Sequence, residues 1–173
     1  MLQGARRSNW NMTFMEMSMR AAIALPFALL ALSACHPQGD GNPKVANAKI
    51  RLPAVAGRPG AGYFTISGGA RDDRLTRIDS AAVGKIEFHE MAMEGGMMRM
   101  RPLADVAVPK RTEIMFAPGG NHAMLFDIDK RITPGTGIPL LFTFASGTKV
   151  EVEAKTVAAG EELEGAAAGA THP

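Results

Sequence analysis

Between residues 49 and 157 the chain alternates apolar and polar residues in short runs, separated by Gly, Pro and Asp. Successive side chains on a strand point to opposite faces, so a period of two marks a strand with one buried and one wet face. Lys149-Val150-Glu151-Val152-Glu153 is the cleanest case. The same pattern predicts strands at 49–52, 62–67, 74–79, 85–93, 97–103, 113–116, 122–128, 140–144 and 149–157. No helical period is sustained in this region. Many short strands with turn signals between them predict an all-β fold: a single Greek-key sandwich or barrel of antiparallel strands.

The flanks read differently. Arg20 precedes the apolar run Ala21-Ala22-Ile23-Ala24-Leu25-Pro26-Phe27-Ala28-Leu29-Leu30-Ala31, which ends in Leu32-Ser33-Ala34-Cys35. A basic flank, a short apolar core and small residues before a cleavage point predict a signal peptide over residues 1–34. The run is shorter than the roughly 20 apolar residues that a bilayer-spanning helix needs. Leu-Ser-Ala-Cys looks like a bacterial lipobox, which implies cleavage before Cys35 and acylation of its thiol. The expected location is the periplasmic side of the cell envelope, held to the membrane through Cys35, or soluble periplasm if the lipobox is not used. Ser8-Asn9-Trp10 follows Arg6-Arg7 where a twin-arginine signal would have an apolar pair, which discounts that signal; translation is expected to start at Met15, Met17 or Met19, with the residues before it an over-long reading of the gene. Residues 35–48, rich in Pro, Gly, Asn and Asp, read as a tether. Residues 158–173 are low in complexity and read as a disordered tail in which His172 is solvated.

Removing the signal changes the electrostatics. The chain's formal net charge of +2 comes from Arg6, Arg7 and Arg20 against Glu16, and without them it is zero. No basic patch remains to recruit nucleic acid. Cys35 is the only cysteine, so the domain has no internal disulfide.

The chemistry lies in the methionines and histidines. Downstream of Cys35 every Met falls between Met91 and Met124, a stretch that also holds His89 and His122. Core methionine should be scattered over all the strands, so this segregation points to donor chemistry. Imidazole with thioether suits copper, and thioether selects Cu(I). His122 and Met124 are two apart and share a strand face. A hairpin with Glu94-Gly95 as its two-residue loop would set His89 directly opposite Met100. Two such pairs converging would make a four-coordinate site of two nitrogens and two sulfurs. Met91, Met93, Met97 and Met98 read as a soft contact surface around it, and Met115 as core. Glu90 is a candidate to orient an imidazole, though a solvated charge is the plainer reading; Arg99 and Arg101 should point to the face opposite Met100.

The spacing His89-x10-Met100-x21-His122-x-Met124 resembles that of the periplasmic copper chaperone family, PCuAC. The text around it agrees: Ile86-Glu87-Phe88-His89-Glu90, Gly96-Met97-Met98-Arg99-Met100-Arg101-Pro102, Asn121-His122-Ala123-Met124-Leu125 and Pro139-Leu140-Leu141-Phe142-Thr143-Phe144. The resemblance covers roughly residues 47–157. It implies a cupredoxin-like β-sandwich and one Cu(I) bound by His89, Met100, His122 and Met124. It also implies delivery toward the copper centre of cytochrome c oxidase or its assembly factors. The chain departs from the family at Ser67-Gly68-Gly69, where relatives often carry an Asn-containing turn. It also lacks the His- and Met-rich tail that some members use for a second copper.

Three function classes compete on these residues. A metallochaperone holds Cu(I) and passes it on by ligand exchange, with copper buffering or resistance as its variant. An electron-transfer cupredoxin needs a His2Cys centre, which a domain without Cys cannot build. A structural lipoprotein would use the Met cluster only for packing. No Ser/His/Asp set, carboxylate pair beside a nucleophile, or phosphate-binding Gly loop supports an enzyme.

Overall fold

The computed structural model describes residues 41–161 and 163. The predicted signal peptide 1–34, the lipobox at Cys35, and His172 lie outside them. The described residues form ten strands and no helix: β1 (Lys44–Arg51), β2 (Gly60–Ser67), β3 (Asp73–Asp79), β4 (Val83–Glu94), β5 (Met97–Leu103), β6 (Val106–Val108), β7 (Glu113–Phe116), β8 (His122–Ile128), β9 (Gly137–Phe144) and β10 (Lys149–Val157). Strands β5, β7, β8 and β10 form over the spans that alternation predicts.

Four departures have local causes. β1 starts at Lys44, so the tether expected through residue 48 stops short of it. A bulge between Ala46 and Lys49, with Asn47 at φ 56°, breaks the alternation there and hides the first half of the strand. β6 is only three residues long, too short to show a period, and pairs with β3. β9 extends back through Pro139, which lies opposite Glu153 of β10. On its other side β3 has already ended, at Asp79 opposite Leu141, so the missing N–H of proline removes no ladder bond. The tail expected to be disordered from residue 158 instead begins with a turn. Ala158 N–H donates to Glu161 Oε2 at 3.0 Å, Arg51 holds the Glu161 carbonyl, and Leu163 is buried.

The strands join in one open sheet in the order β5-β4-β8-β2-β1-β10-β9-β3-β6, with β7 also on β2. The pairing is antiparallel except between β1 and β10, which run parallel and correct the all-antiparallel expectation. Three strand spacings separate β2 from β9, about 14 Å in a flat sheet. Yet the rings of Phe64 on β2 and Phe142 on β9 meet edge to face at 4.9 Å. The sheet therefore folds over itself, and its inner faces enclose the core. Phe64 also stacks on Phe116 at 4.2 Å, and Phe88 meets Phe116 at 6.2 Å. Burial of each such ring contributes about 1.5–3 kcal/mol. No methionine belongs to this buried set among the described residues. Met115, read as core, is 40% exposed, because it pairs with Thr65 on the outer face of β2 while Phe116 and Ile114 face inward.

Candidate metal centre

The site grows from the register of β4. Cross-strand partners share a face of the sheet. On one side β4 pairs with β8, and His89 lies directly opposite His122, Glu87 opposite Met124. On the other side β4 pairs with β5: Met91 lies opposite Met100, Met93 opposite Met98, and His89 opposite Pro102. One outer face therefore carries Glu87, His89, Met91, Met93, Met98, Met100, His122 and Met124. The inner face carries Phe88 and Ala123, both in the core.

This register differs from the one expected. The loop is Gly95-Gly96, not Glu94-Gly95, and both glycines have positive φ, 58° and 80°. A two-residue turn with both central residues left-handed matches the twist of a hairpin, and Gly-Gly meets that demand where Glu would be strained. The shift moves Met100 from directly opposite His89 to a diagonal position, about 7–8 Å away between backbones. Met91 takes the place across from Met100. The expected set of four still shares one face, with Met91 added to it.

Hydrogen bonds set the ring nitrogens. The His89 Nε2 lies 3.2 Å from Glu87 Oε2. A carboxylate only accepts, so Nε2 carries the proton and Nδ1 carries the lone pair. That Nδ1 is buried and has no hydrogen-bond partner. The His122 Nδ1–H donates to the Gly120 carbonyl at 3.0 Å, which leaves its Nε2 lone pair for a ligand. The carbonyl is presented by the turn after β7, closed by Ala117 N–H to Asn121 O at 2.8 Å. The two rings lie 5.8 Å apart, 27° from parallel, close enough for both to reach one ion. Each imidazole is thus held by a partner on one nitrogen and offers the other, the arrangement metal-binding histidines adopt.

Glu87, not Glu90, is the carboxylate that orients His89. The Lys85 ammonium at 2.5 Å, and then the His89 ring, hold the Glu87 carboxyl below the usual carboxylate range. Its signal was present in the sequence: position i−2 from a strand histidine shares its face, whereas i+1 does not. Glu90 instead pairs with Arg101 at 2.6 Å on the opposite face, where Arg99 and Arg101 were expected.

His122, Met124, Met91 and Met100 line a hollow of about 310 Å³, walled further by Tyr63 and Pro118. His89 stands beside this wall with its side chain 13% exposed, while Met100 at the rim is 50% exposed. A larger hollow of about 530 Å³ lies by Asp73, Arg74 and Ser146, but it holds no imidazole or thioether. Its carboxylate Asp73 is already satisfied by the Ser146 hydroxyl at 2.6 Å, with a carboxyl held low despite partial burial. Among the described residues no group of three or more His, Cys, Asp or Glu is placed to hold a metal. An ion held by the His89–His122 pair would find thioether sulfurs on the same face, and these favour a soft ion.

The family model LpqE-like matches residues 44–156. No curated protein matches the chain by sequence. Among solved structures, the copper-bound PCuAC domain from PmoF2 is 23% identical, with a TM-score of 0.58 over 69% of this chain and 95% of that one. The apo PCuAC domain from PmoF1 is 25% identical, with a TM-score of 0.57 over 69% and 96%. DR1885 from Deinococcus radiodurans in its Cu(I) form is 17% identical, with a TM-score of 0.57 over 73% and 85%. The chain belongs to the LpqE-like family, and its folded-over sheet is the cupredoxin-like β-sandwich of the PCuAC domains.

Proposed function

We propose that this protein is a copper metallochaperone that binds Cu(I) through His89, His122, Met100 and Met124 and releases it to a recipient by ligand exchange. One observation carries the reading. Two imidazoles, each committed through one nitrogen and with a lone pair on the other, face the same side as a cluster of thioethers. The buried, unpartnered His89 Nδ1 supports it, since leaving a buried polar atom unsatisfied costs about 1–3 kcal/mol unless a ligand compensates. Copper in the solved PCuAC structures points the same way.

The donor set explains both holding and release. Two imidazoles supply affinity, and they bind only when neutral. The thioethers are weaker, uncharged donors that favour Cu(I), and Met100 sits at the rim where an incoming ligand can displace it. Exchange replaces one donor at a time, so the ion stays Cu(I) and no electron moves. Glu87 keeps the His89 tautomer that leaves Nδ1 free. In this reading Cys35 carries the lipid that holds the domain at the periplasmic face of the membrane, and the recipient is the copper-centre subunit of cytochrome c oxidase or its assembly factors.

Anaerobic Cu(I) titration against a competing chelator, with X-ray absorption of the product, tests the ligand set. Sulfur and nitrogen scatterers are expected together, and a shell of nitrogen and oxygen alone would overturn it. Transfer to an oxidase copper-site fragment tests delivery; tight retention with no transfer would make the protein a copper buffer.

A further inference from the structure

We propose that the β4–β5 arm carries a second soft-cation site, in which Met91, Met93 and Met98 hold Cu(I) through their sulfurs just outside the first. β8 stops pairing with β4 at His89, so residues 90–94 and 97–101 project beyond the sheet as a two-stranded arm. The two faces of this arm differ. One carries ion pairs: Arg101 with Glu90 at 2.6 Å and with Glu94 at 3.4 Å, and Arg99 with Glu94 at 3.7 Å. The other carries thioethers alone.

Packing does not explain the thioether face. Met93 is 65% exposed and Met98 49%, and the chain's core contains no methionine among the described residues. The ion pairs and the Gly95-Gly96 turn already pin the register, so these methionines are not needed to align the strands. Donor chemistry does explain it. Met93 and Met98 are direct cross-strand partners, with Cβ atoms about 5 Å apart. Met91 stands one same-face position inward on β4, about 7 Å along the strand. Flexible thioether arms span such gaps, and three neutral sulfurs suit Cu(I) and Ag(I) above harder ions.

The order of donors from tip to root gives the site its use. Met93 and Met98 stand outermost, Met91 and Met100 next, and His89 with His122 at the root. Because Met91 faces Met100, an ion on the outer thioethers is one rung from the first site. It moves inward by forming one sulfur bond as another breaks, with no change of oxidation state. This role as an entry stage rests on the function proposed above; the second site itself does not.

The test is anaerobic titration of the full chain with Cu(I), read by methionine methyl 13C resonances. The first equivalent should shift the Met100 and Met124 methyls. A second, about tenfold weaker because it lacks imidazole, should shift Met91, Met93 and Met98. Met93→Leu with Met98→Leu, which conserves volume, should abolish the second equivalent and leave the first. His89→Ala with His122→Ala should abolish the first and spare the outer one. Unmoved Met93 and Met98 methyls in excess Cu(I) would overturn the second site while the first stands. Met100 and Met124 methyls that still shift with undiminished affinity after loss of both histidines would overturn the inner reading and leave the outer site intact.

Discussion

The buried core and the projecting arm use different apolar residues. The core is built from Phe64, Phe116, Phe142, Phe144, Ile50, Ile66 and Leu125, all nearly inaccessible to water. The arm holds Met93, Met97, Met98 and Met100, each about half exposed or more. β4 runs through both regions: its inner face buries Phe88, then turns to Glu90 and Glu94 once it leaves the core. Stiff branched and aromatic side chains specify a unique interior, whereas Met is flexible and brings a sulfur lone pair. Among the described residues the core contains no methionine, whereas one face of the arm presents nothing but thioethers.

The largest expected effect lies on the core side. Phe142→Ala should cost about 3–5 kcal/mol, because Phe142 is fully buried against Phe64 and its removal leaves a cavity. Urea unfolding measures it; a loss below about 1 kcal/mol would mean that the two layers do not depend on this contact. The matched change on the other side is Met100→Leu with Met124→Leu. Stability should fall by less than about 1.5 kcal/mol, while Cu(I) affinity falls at least about tenfold as two soft donors are lost. Unfolding with affinity preserved would erase the contrast between the two regions.

Glu87→Gln gives the next effect. Loss of an outer-shell carboxylate should weaken copper binding by about tenfold, measured by chelator competition, with the fold unchanged. The pH dependence separates this role from the imidazoles. Glu87 has a folded pKa below its ordinary one, so its stabilising contribution is present above the ordinary carboxylate range and fades as pH falls through the lower folded value. Between about pH 7 and 5 it stays ionised, so its contribution to copper binding is constant over that range. Glu87→Gln should therefore lower the loading curve without changing its slope; a flattened curve would make Glu87 the titrating group.

The smallest effect is at the turn after β8, at the opposite end of that strand from His122. Arg131 holds the Asp129 carboxyl down to about 2, mainly through side-chain hydrogen bonds, then through its backbone N–H. The pair's contribution is present above the ordinary carboxylate pKa and is lost only as pH falls through about 2. An NMR titration of the Asp129 carboxyl should show that midpoint, and copper loading should not respond to Asp129→Asn.

The same contrast separates what could be read from the sequence. Alternation predicted the strands at 97–103, 113–116, 122–128 and 149–157, because a period of two depends only on which face is buried. It also placed His122 with Met124 on one face, and Arg99 and Arg101 away from Met100. The reading of Met115 as core failed because it rested on apolar neighbours, whereas its parity put it outside.

What the amino-acid order determined alone was local: the strand faces, the turn chemistry, and the concentration of soft donors between residues 89 and 124. Tertiary structure decided everything that joins distant segments. It paired β1 with β10 in parallel and set His89 of β4 opposite His122 of β8. Only there did Glu87 rather than Glu90 meet the His89 ring, and only there did the Gly120 carbonyl meet His122. The reason is physical: a side chain's face follows from its own strand, but its neighbour follows from register, and register is settled by turns and by the core that two strands share.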